Sequence, residues 1–331
     1  MPTKPLDPPN RRLLRGLIAM PLAIWMGLAL ALRLPGPGTL AAGLGIGLPL
    51  IALVLLVRLP PKRGVAWFAA AFLVVLSGFL ALRPSNTRDW MPDVAKIPSG
   101  IIRGDQLILH NVRNCRYRSE ADYEARFEDR VYDLAKLRAL DLFLVSWGPR
   151  HIGHVMLSFD FGNGEHLVFS IETRKERQET YSSLRGFFRE YELCIVAGDE
   201  RDLVRLRTNL RKESVRLYPL NTPPPVARRI LTDYIARLNE LSERPEWYNA
   251  LTDNCTTAMI GPVHHHSDRL PWSWKLLANG HLDELLYERG FVNRSLPFQT
   301  LRQRTLINGR AMVADQDPAF SLRIRAGLPD R

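Results

Sequence analysis

The residue with the clearest chemical potential is Cys255, which lies in a short apolar run, residues 251–260. Asp253 and Asn254 are good helix N-caps, and a Gly-Pro pair ends the run after about two turns. Cys255 is therefore predicted in the first turn of a helix, where the dipole and the backbone N–H groups lower the pKa of a thiol. The same N–H groups could bind an oxyanion, so Asn254 and Thr256 are candidate oxyanion and cap residues. The pattern predicts a cysteine nucleophile.

A general base for such a thiol is predicted on a β-hairpin. Residues 154–161 and 165–173 alternate apolar and polar side chains around a Gly-Asn-Gly turn. Centring the turn on Asn163 gathers the large apolar groups on one face and sets His154 opposite Glu172, with Cβ atoms about 5 Å apart. This arrangement suits thiol catalysis, with His154 as base and Glu172 as its orienting group. The same register predicts further pairs: Val155 with Ile171, Leu157 with Phe169, Phe159 with Leu167, Met156 with Ser170, and Asp160 with His166.

Each of these residues also has a plainer interpretation. A lone cysteine after a helix cap is more often a packing residue, and His154 could be a satisfied polar residue on a half-exposed sheet. Glu172 begins a run of charged residues that is typical of a solvated surface. His151 competes for the role of base, but it follows Gly-Pro-Arg and is expected in the loop before the strand. Three consecutive histidines, 264–266, cannot all reach one ion, so no metal and no cofactor is predicted.

The chain has three cysteines, an odd and small number that excludes a disulfide scaffold. Cys115 and Cys194 could pair in an oxidising compartment, which would leave Cys255 as the odd thiol. Both could equally be small buried hydrophobic residues. This second interpretation is favoured, because Cys194 lies in the apolar run 193–197.

Strand and helix patterns are segregated along the polar part of the chain rather than alternating, which predicts an α+β fold with an antiparallel sheet. The predicted strands cover residues 106–110, 138–147, 154–161, 165–173, 191–197 and 214–220. The predicted helices cover residues 180–191, 226–242 and 283–289. Residues 83–100 combine three prolines with small polar residues and are predicted as a linker before this domain.

Three apolar segments, residues 16–32, 39–57 and 65–82, are long enough to cross a bilayer and contain no ionisable residue. Basic residues precede the first segment and fill the loop between the second and the third. The positive-inside rule therefore predicts a cytoplasmic N-terminus and an exported C-terminal domain. Residues 1–83 carry nine basic residues and one acidic residue, which is +8 of the formal net charge of +11. The excess of basic residues lies mostly around the membrane spans and is therefore interpreted as a signal of membrane topology. No nucleic-acid partner is predicted.

Several stretches of the polar part resemble the Lnb N-terminal periplasmic domain family, across about residues 100–290. They include Arg116-Tyr-Arg-Ser-Glu, Leu140-Asp-Leu-Phe-Leu, His154-Val-Met-Leu-Ser-Phe, Ser170-Ile-Glu-Thr-Arg-Lys-Glu and Glu246-Trp-Tyr-Asn-Ala-Leu-Thr-Asp-Asn-Cys-Thr-Thr. The resemblance implies a papain-like, NlpC-related fold in circularly permuted order, with thiol chemistry by Cys255 and His154. In the named members it implies lipoprotein N-acylation, an acyl transfer onto the amino group of a lipidated N-terminal cysteine. The three-span anchor departs from those members, which leaves a different substrate open.

The expected protein is a multi-pass enzyme of the inner membrane of a Gram-negative bacterium. We expect a thiol acyltransferase that acts on the acyl groups of a lipoprotein or phospholipid through a thioester on Cys255. Two alternatives stay open: a periplasmic cysteine hydrolase of peptidoglycan peptides or lipoproteins, and a non-catalytic membrane sensor or scaffold. Acyl donor, acceptor and oligomeric state are open as well. The expected organisation is a cytoplasmic N-terminus (1–15), a three-span membrane anchor (16–82), a linker (83–100), a papain-like thiol enzyme domain (101–295) and a C-terminal extension (296–331).

Overall fold

The computed structural model describes residues 9–34, 38–148, 153–249 and 273–330. The chain divides into two compact units. The first, here called the membrane unit, comprises Met1–Pro84 and Tyr181–Tyr191. The second, the sheet unit, comprises Ser85–Thr180 and Glu192–Arg331. A short stretch of chain that lies between two parts of the sheet unit in sequence therefore belongs to the membrane unit.

Three long apolar helices form most of the membrane unit: α1 (Pro9–Arg33), α2 (Gly38–Arg58) and α3 (Pro61–Ala81). They correspond to the three predicted spans, and each is long and apolar enough to cross a membrane. Their outward side chains are apolar as well, with Ile46 and Val74 each 71% exposed. An apolar outer surface of this extent suits lipid rather than water.

Two glycines let α1 and α2 approach each other at backbone distance. A Cβ atom added to Gly27 would lie 2.5 Å from the carbonyl oxygen of Gly45, and one added to Gly45 would lie 2.7 Å from that of Gly27. Membrane helices commonly pack through such small residues, because van der Waals contact drives their association in lipid. The pair therefore sets the point at which these two helices cross.

The described residues of the remaining chain form helices, most of them short, and two sheets. The strands are β1 (Ser99–Arg103), β2 (Gln106–Arg113), β3 (Arg116–Tyr117), β4 (Tyr123–Glu124), β5 (Phe127–Asp133), β6 (Ala139–Ser146), β7 (Gly153–Gly162), β8 (Glu165–Arg174), β9 (Glu192–Gly198) and β10 (Ser214–Pro219). The helices are α4 (Ser183–Gly186), α5 (Glu200–Arg205), α6 (Pro224–Glu243), α7 (Trp274–Leu277), α8 (Leu282–Glu288), α9 (Phe298–Arg304), α10 (Asn308–Val313) and α11 (Phe320–Arg325).

The larger sheet has eight strands in the order β1-β2-β9-β8-β7-β6-β10, with β5 paired to β2 beside this path. Neighbouring strands are antiparallel, except that β2 and β9 run parallel at a single pair, Arg113 and Gly198. The mixed α+β class predicted from the sequence is therefore confirmed. Each of the six predicted strands also corresponds to an observed one.

The hairpin of β7 and β8 has the register predicted from its side-chain alternation. Met156 lies opposite Ser170, and Asp160 lies opposite His166. The three residues of the turn, 162–164, adopt φ angles of 85°, 54° and 81°. Glycine and asparagine tolerate this left-handed conformation better than other residues, so the local sequence alone determines where the hairpin turns.

Both faces of this hairpin are buried, because helices cover the sheet on either side. On one face the ring of Tyr234 from α6 stacks on Phe169 with 5.2 Å between centroids. On the other face Met156 packs in a buried cluster with Phe320 of α11. The face that carries His154 is thus part of the interior, and it is not the half-exposed surface of the plainer interpretation.

The helix predicted over residues 180–191 is wrong for most of its length, since only the four residues of α4 are helical there. The side chain of Ser182 caps the start of α4 by accepting from the N–H of Arg185. Beyond the helix, Arg189 adopts a left-handed φ of 57°, which a right-handed helix cannot continue through. The segment instead folds back on itself, and the N–H of Ser182 donates to the hydroxyl of Tyr191 at 2.8 Å.

The segments predicted as a linker, 83–100, and as a C-terminal extension, 296–331, both supply interior residues of the sheet unit. Val94 from the first segment is buried in the same cluster as Phe320 and Ile324 from the second. This cluster covers the face of the sheet on which His154 lies. The helices beyond residue 296 therefore form one wall of the interior around the candidate base.

Arg325 of α11 neutralises two carboxylates that the sheet unit buries. Its guanidinium lies 2.8 Å from Oδ2 of Asp141 and 2.5 Å from Oε1 of Glu200, whose side chains are 1% and 0% exposed. Burial alone would raise the pKa of Glu200, but the charge of Arg325 holds this pKa at about 2. The ion network fastens α11 to β6, and it does so in the interior rather than at the surface.

Replacing Arg325 with Met should lower the free energy of unfolding by about 3 to 5 kcal/mol, because two buried carboxylates lose its guanidinium. Arg323→Met is a matched control, since Arg323 pairs with Asp317 at the surface and its side chain is 65% exposed. The control should cost less than about 1 kcal/mol. Denaturant unfolding of the detergent-solubilised chain, followed by tryptophan fluorescence, measures both. A loss of the same size in the two variants would contradict a buried role for Arg325.

Candidate active site

His154 lies at the second position of β7, and its side chain is 7% exposed. Its Nε2 atom is 2.7 Å from the hydroxyl oxygen of Ser170 and 3.4 Å from Oε1 of Glu172. The imidazole and the carboxylate that the hairpin register predicts as neighbours are therefore in contact. The hydroxyl of Ser170 bridges them.

Glu172 receives polar contacts from three sides on one carboxylate oxygen, Oε1. Ser170 donates its hydroxyl at 2.6 Å and Arg207 donates from Nη2 at 2.9 Å, in addition to the contact with His154. Burial alone would raise the pKa of Glu172, but the charge of Arg207 holds this pKa well below its usual value. Glu172 is therefore an anion at neutral pH, positioned beside the imidazole.

The ionised carboxylate decides which nitrogen of His154 carries the proton. A carboxylate only accepts hydrogen bonds, so the hydroxyl of Ser170 donates to Glu172 and offers His154 a lone pair. Nε2 of His154 must then be the protonated nitrogen, and Nδ1 is the basic nitrogen of the neutral ring. Donation runs from His154 through Ser170 to Glu172. This relay prepares Nδ1 to accept a proton.

Arg207, which holds Glu172, lies in a turn that is wider than an α-helix. Residues Leu206–Leu210 form a π-helical turn directly after α5. The side chain of Arg207 is 6% exposed, and it also binds Glu213 at 3.1 Å. Turns of this kind are rare and frequently occur at functional sites. One buried arginine thus forms ion pairs with both Glu172 and Glu213.

Ser170 and Arg207 are members of the site that the sequence analysis missed. A signal for Ser170 was available, because it precedes Glu172 by two residues on a strand and must share its face. Arg207 carried no comparable signal. It lies 35 residues from Glu172 in sequence, in a turn whose position depends on the packing of the whole unit.

Two of the three cysteines are unsuited to nucleophilic chemistry. Cys115 and Cys194 are both free and buried, so no disulfide joins them. Burial raises the pKa of Cys115 to about 11 and that of Cys194 to about 12. Both thiols stay protonated at neutral pH and are poor nucleophiles. Their interpretation as small buried hydrophobic residues is confirmed, and Cys255 is the remaining cysteine of the sequence.

The predicted nucleophile Cys255 and its neighbours Asn254 and Thr256 lie outside the described residues, as do His151 and residues 264–266. The structure does describe how the chain enters and leaves this stretch. Before it, Leu193 at the start of β9 donates its N–H to the carbonyl of Glu246 at 2.8 Å, and Glu192 forms a β-bridge with Trp247. After it, the side-chain amide of Asn279 bonds both the carbonyl and the N–H of Gly153, at 2.7 and 2.6 Å.

These two attachments lie at the same end of the sheet as the relay. Gly153 directly precedes His154 on β7. Glu192 lies opposite Arg174, which is two residues beyond Glu172 on β8. The described residues on either side of the stretch that contains Cys255, namely Glu246, Trp247 and Asn279, therefore contact the end of the sheet that carries His154 and Glu172.

Residues 123–280 match the family model described as the Lnb N-terminal periplasmic domain. The resemblance that the sequence strings indicated is thereby confirmed over these residues. The matched range includes the relay residues, Arg207 and Cys255, whereas the membrane helices and α8–α11 lie outside it. No curated protein and no solved structure matches the chain.

Replacing Arg207 with Met should destabilise the chain more at pH 7 than at pH 4. The folded pKa of Glu172 lies below its unfolded value, so its stabilising contribution is complete above about pH 4.3 and is lost as the pH falls through the folded pKa. Without Arg207 this partly buried anion, whose side chain is 25% exposed, should cost about 3 kcal/mol at pH 7, at the lower end of the range for a buried ion pair. A protonated carboxyl group needs no cation, so the difference between wild type and variant should narrow as the pH falls.

Unfolding of both proteins in denaturant at pH 7 and pH 4 measures this difference. Arg211→Met is the control, because Arg211 is exposed and pairs with Glu120 at the surface. It should change the free energy of unfolding by less than about 1 kcal/mol at either pH. A gap between wild type and Arg207→Met that is as large at pH 4 as at pH 7 would refute the role given to the ion pair.

Proposed function

We propose a function from one premise: residues 123–280 belong to the Lnb N-terminal periplasmic domain family. A chain that joins this domain to three apolar helices is a membrane-associated periplasmic protein. We further propose that it is an inner-membrane thiol acyltransferase whose enzyme domain faces the periplasm. Its substrate is a lipoprotein or a phospholipid, and the acyl group passes through a thioester on Cys255.

The observation that carries this proposal is the relay from His154 through Ser170 to Glu172. A histidine buried only for packing does not need an anion held beside it by a buried arginine, whereas a base that must gain a positive charge does. The attachments at Gly153 and Glu192 support a position for Cys255 near this base. The order of histidine before cysteine supports a circularly permuted, papain-like fold for residues 101–295.

In the first half-reaction Cys255 attacks the carbonyl carbon of an acyl ester. Its thiol proton goes to Nδ1 of His154 as the carbon–sulfur bond forms, and the carbonyl electron pair moves to the oxygen. Backbone N–H groups at Asn254 and Thr256 stabilise this oxyanion. The ester carbon–oxygen bond then breaks, and the imidazolium returns the proton to the leaving alcohol. The products are an acyl thioester on Cys255 and a free alcohol.

In the second half-reaction an amine or hydroxyl of the acceptor attacks the thioester. Nδ1 of His154 takes the proton of the acceptor, the carbon–sulfur bond breaks, and the thiolate is protonated again by the imidazolium. The product is an amide or an ester. His154 becomes positively charged in both halves, and the permanent anion of Glu172 stabilises this charge each time.

The proposed topology follows from the basic residues around the spans. They cluster ahead of the first apolar segment, as far as Arg15, and between the second and third segments, whereas Arg33 is the single basic residue between the first and second segments. The positive-inside rule then places the N-terminus in the cytoplasm. Three crossings deliver the sheet unit to the periplasm, in agreement with the description of its family.

An acyl-thioester on Cys255 should be detectable when the full chain is incubated in membranes that contain the acyl donor. Acid quenching, digestion and mass spectrometry should reveal an acyl mass on the peptide that contains Cys255, and hydroxylamine should remove it. Cys255→Ser should abolish both the adduct and the activity. Cys194→Ala should retain both, because the Cys194 thiol is buried and protonated.

The same measurement in cells separates transfer from hydrolysis. An acyltransferase changes the acylation of membrane lipoproteins, so their mass spectra should differ between cells with and without the chain. Unchanged lipoproteins together with altered peptidoglycan peptides would replace the acyltransferase by a cysteine hydrolase. Full activity of Cys255→Ser would exclude thiol catalysis and favour a sensor or scaffold.

Ser170→Ala should lower kcat about 10-fold with little change in KM, which corresponds to the loss of one hydrogen bond of about 1.4 kcal/mol. The acid limb of the pH–rate profile should move to lower pH, because the imidazolium loses its hydrogen-bond acceptor. Ser158→Ala is the matched control, since Ser158 is a buried serine that donates to a different carboxylate, Glu200, at 2.6 Å. It should leave the pH–rate profile in place. Identical profiles for wild type and Ser170→Ala would contradict the relay.

A further inference from the structure

The segment Tyr181–Tyr191 follows β8 in sequence but packs within the membrane unit. Phe188, which is 5% exposed, is buried in one cluster with apolar residues of all three membrane helices. The centroid of its ring lies 6.4 Å from that of Trp25 on α1 and 6.3 Å from that of Phe79 on α3. An insertion of a periplasmic domain thus has an aromatic anchor among the membrane helices.

Polar contacts fasten the same segment to the ends of α1 and α3. Arg189 donates from Nη1 to the carbonyl oxygens of Phe79 and Leu80, at 3.0 and 3.4 Å, close to the last residue of α3. A cation suits this place, because the last carbonyls of a helix lack partners within it and carry the negative end of its dipole. Glu190 pairs with Arg33, the last residue of α1, at 3.0 Å.

The segment also carries large apolar side chains that are exposed. Tyr181, Leu184 and Phe187 are 52%, 47% and 40% exposed. On α3, Leu80 is 55% exposed, and its carbonyl is one of those that bind Arg189. The segment and the end of α3 therefore both expose apolar side chains. Exposing such a surface to water is unfavourable in free energy.

The charge of the segment suits the phosphate layer of a bilayer. Arg185 and Arg33 both bind Glu190, and Arg189 lies beside them in sequence and at the helix end. Three positive charges therefore accompany one negative charge in this group. Arginine side chains at the membrane surface are attracted to lipid phosphates and to anionic lipids.

We propose that Tyr181–Tyr191 is seated in the periplasmic leaflet of the bilayer. Leu184 and Phe187 lie among the acyl chains, and the guanidinium of Arg185 lies at the lipid phosphates. The occupant of this surface is lipid, because the segment is fastened to two helix ends that reach the membrane surface. The inference rests on the membrane topology in the proposed function, and it is independent of the thiol chemistry.

The covalent links of Tyr181–Tyr191 to the neighbouring strands β8 and β9 bear on the class of substrate. Tyr191 is bonded directly to Glu192, the first residue of β9, and the seven-residue step from Arg174 to Tyr181 spans at most about 25 Å. A lipid-seated segment is thus joined by short stretches of chain to the strand that carries Glu172 and to its neighbour. This favours substrates whose acyl chains remain in the bilayer, such as lipoproteins and phospholipids.

Spin labels at the exposed apolar positions test the seat. Leu184→Cys and Phe187→Cys are each made in the full chain with Cys255→Ser, labelled with a nitroxide and reconstituted into vesicles of phosphatidylethanolamine and phosphatidylglycerol. Cys115 and Cys194 are buried and should not react. Two control positions are Val74, which is exposed on α3, and Lys136, which is exposed on the sheet unit. Collision of each label with oxygen, which enters lipid, and with a water-soluble nickel chelate is measured.

Labels at 184 and 187 should collide several-fold more with oxygen than with the nickel chelate, as the label at 74 does, whereas the label at 136 should show the reverse. Labels at 184 and 187 that behave like the label at 136 would overturn the proposal. Low collision with both reagents would overturn it as well, because the surface would then be covered by protein. Every protein in this experiment lacks the Cys255 thiol, so the result does not depend on whether the thiol transfers acyl groups.

Discussion

A buried ion pair between Glu172 and Arg207 governs the chemistry available at this site. The sheet is covered on both faces, so a carboxylate on β8 can remain ionised only beside a cation. Arg207 supplies that cation at 2.9 Å. The resulting anion makes Ser170 a donor, and the donor makes Nε2 of His154 the protonated nitrogen. Arg207 thus acts on His154 through Glu172 and Ser170, and in this way it decides which nitrogen of the ring carries the proton.

The same face of the sheet carries a second cluster with the same composition. Ser158 donates to Glu200, and Arg325 neutralises that carboxylate in turn. A histidine also lies nearby, but His166 bonds the carbonyl of Gly164 and its Nε2 is 3.8 Å from Asp160. In both clusters a serine hydroxyl and an arginine guanidinium therefore stabilise an ionised glutamate inside the sheet unit. What distinguishes the first cluster is the direct bond from the hydroxyl to the ring of His154.

The parts of the structure that were predictable are those determined by short-range pattern. The hairpin register follows from alternation and a glycine-rich turn, and the spans follow from length and hydropathy, so both were foreseeable. The predicted helix at 180–191 failed because Ser182, Arg189 and the packing of Phe188 on distant helices override its local pattern. Arg207 and Arg325 reach the sheet from distant parts of the chain, where sequence spacing carries no information on contact. Residues such as these explain why a base could be predicted when its electrostatic support could not.

Arg325 also affects the order in which parts of the chain can fold during synthesis. Asp141 precedes it by 184 residues, so β6 is synthesised long before the guanidinium that will meet its carboxylate. At ordinary rates of translation the interval is about 10 to 40 s. During this time Asp141 and Glu200 lack the guanidinium that will pair with them, and burying both as anions inside the sheet is unfavourable. We therefore expect the sheet to close only after α11 has been made, so that a product interrupted before α11 keeps its interior accessible to quality-control proteases.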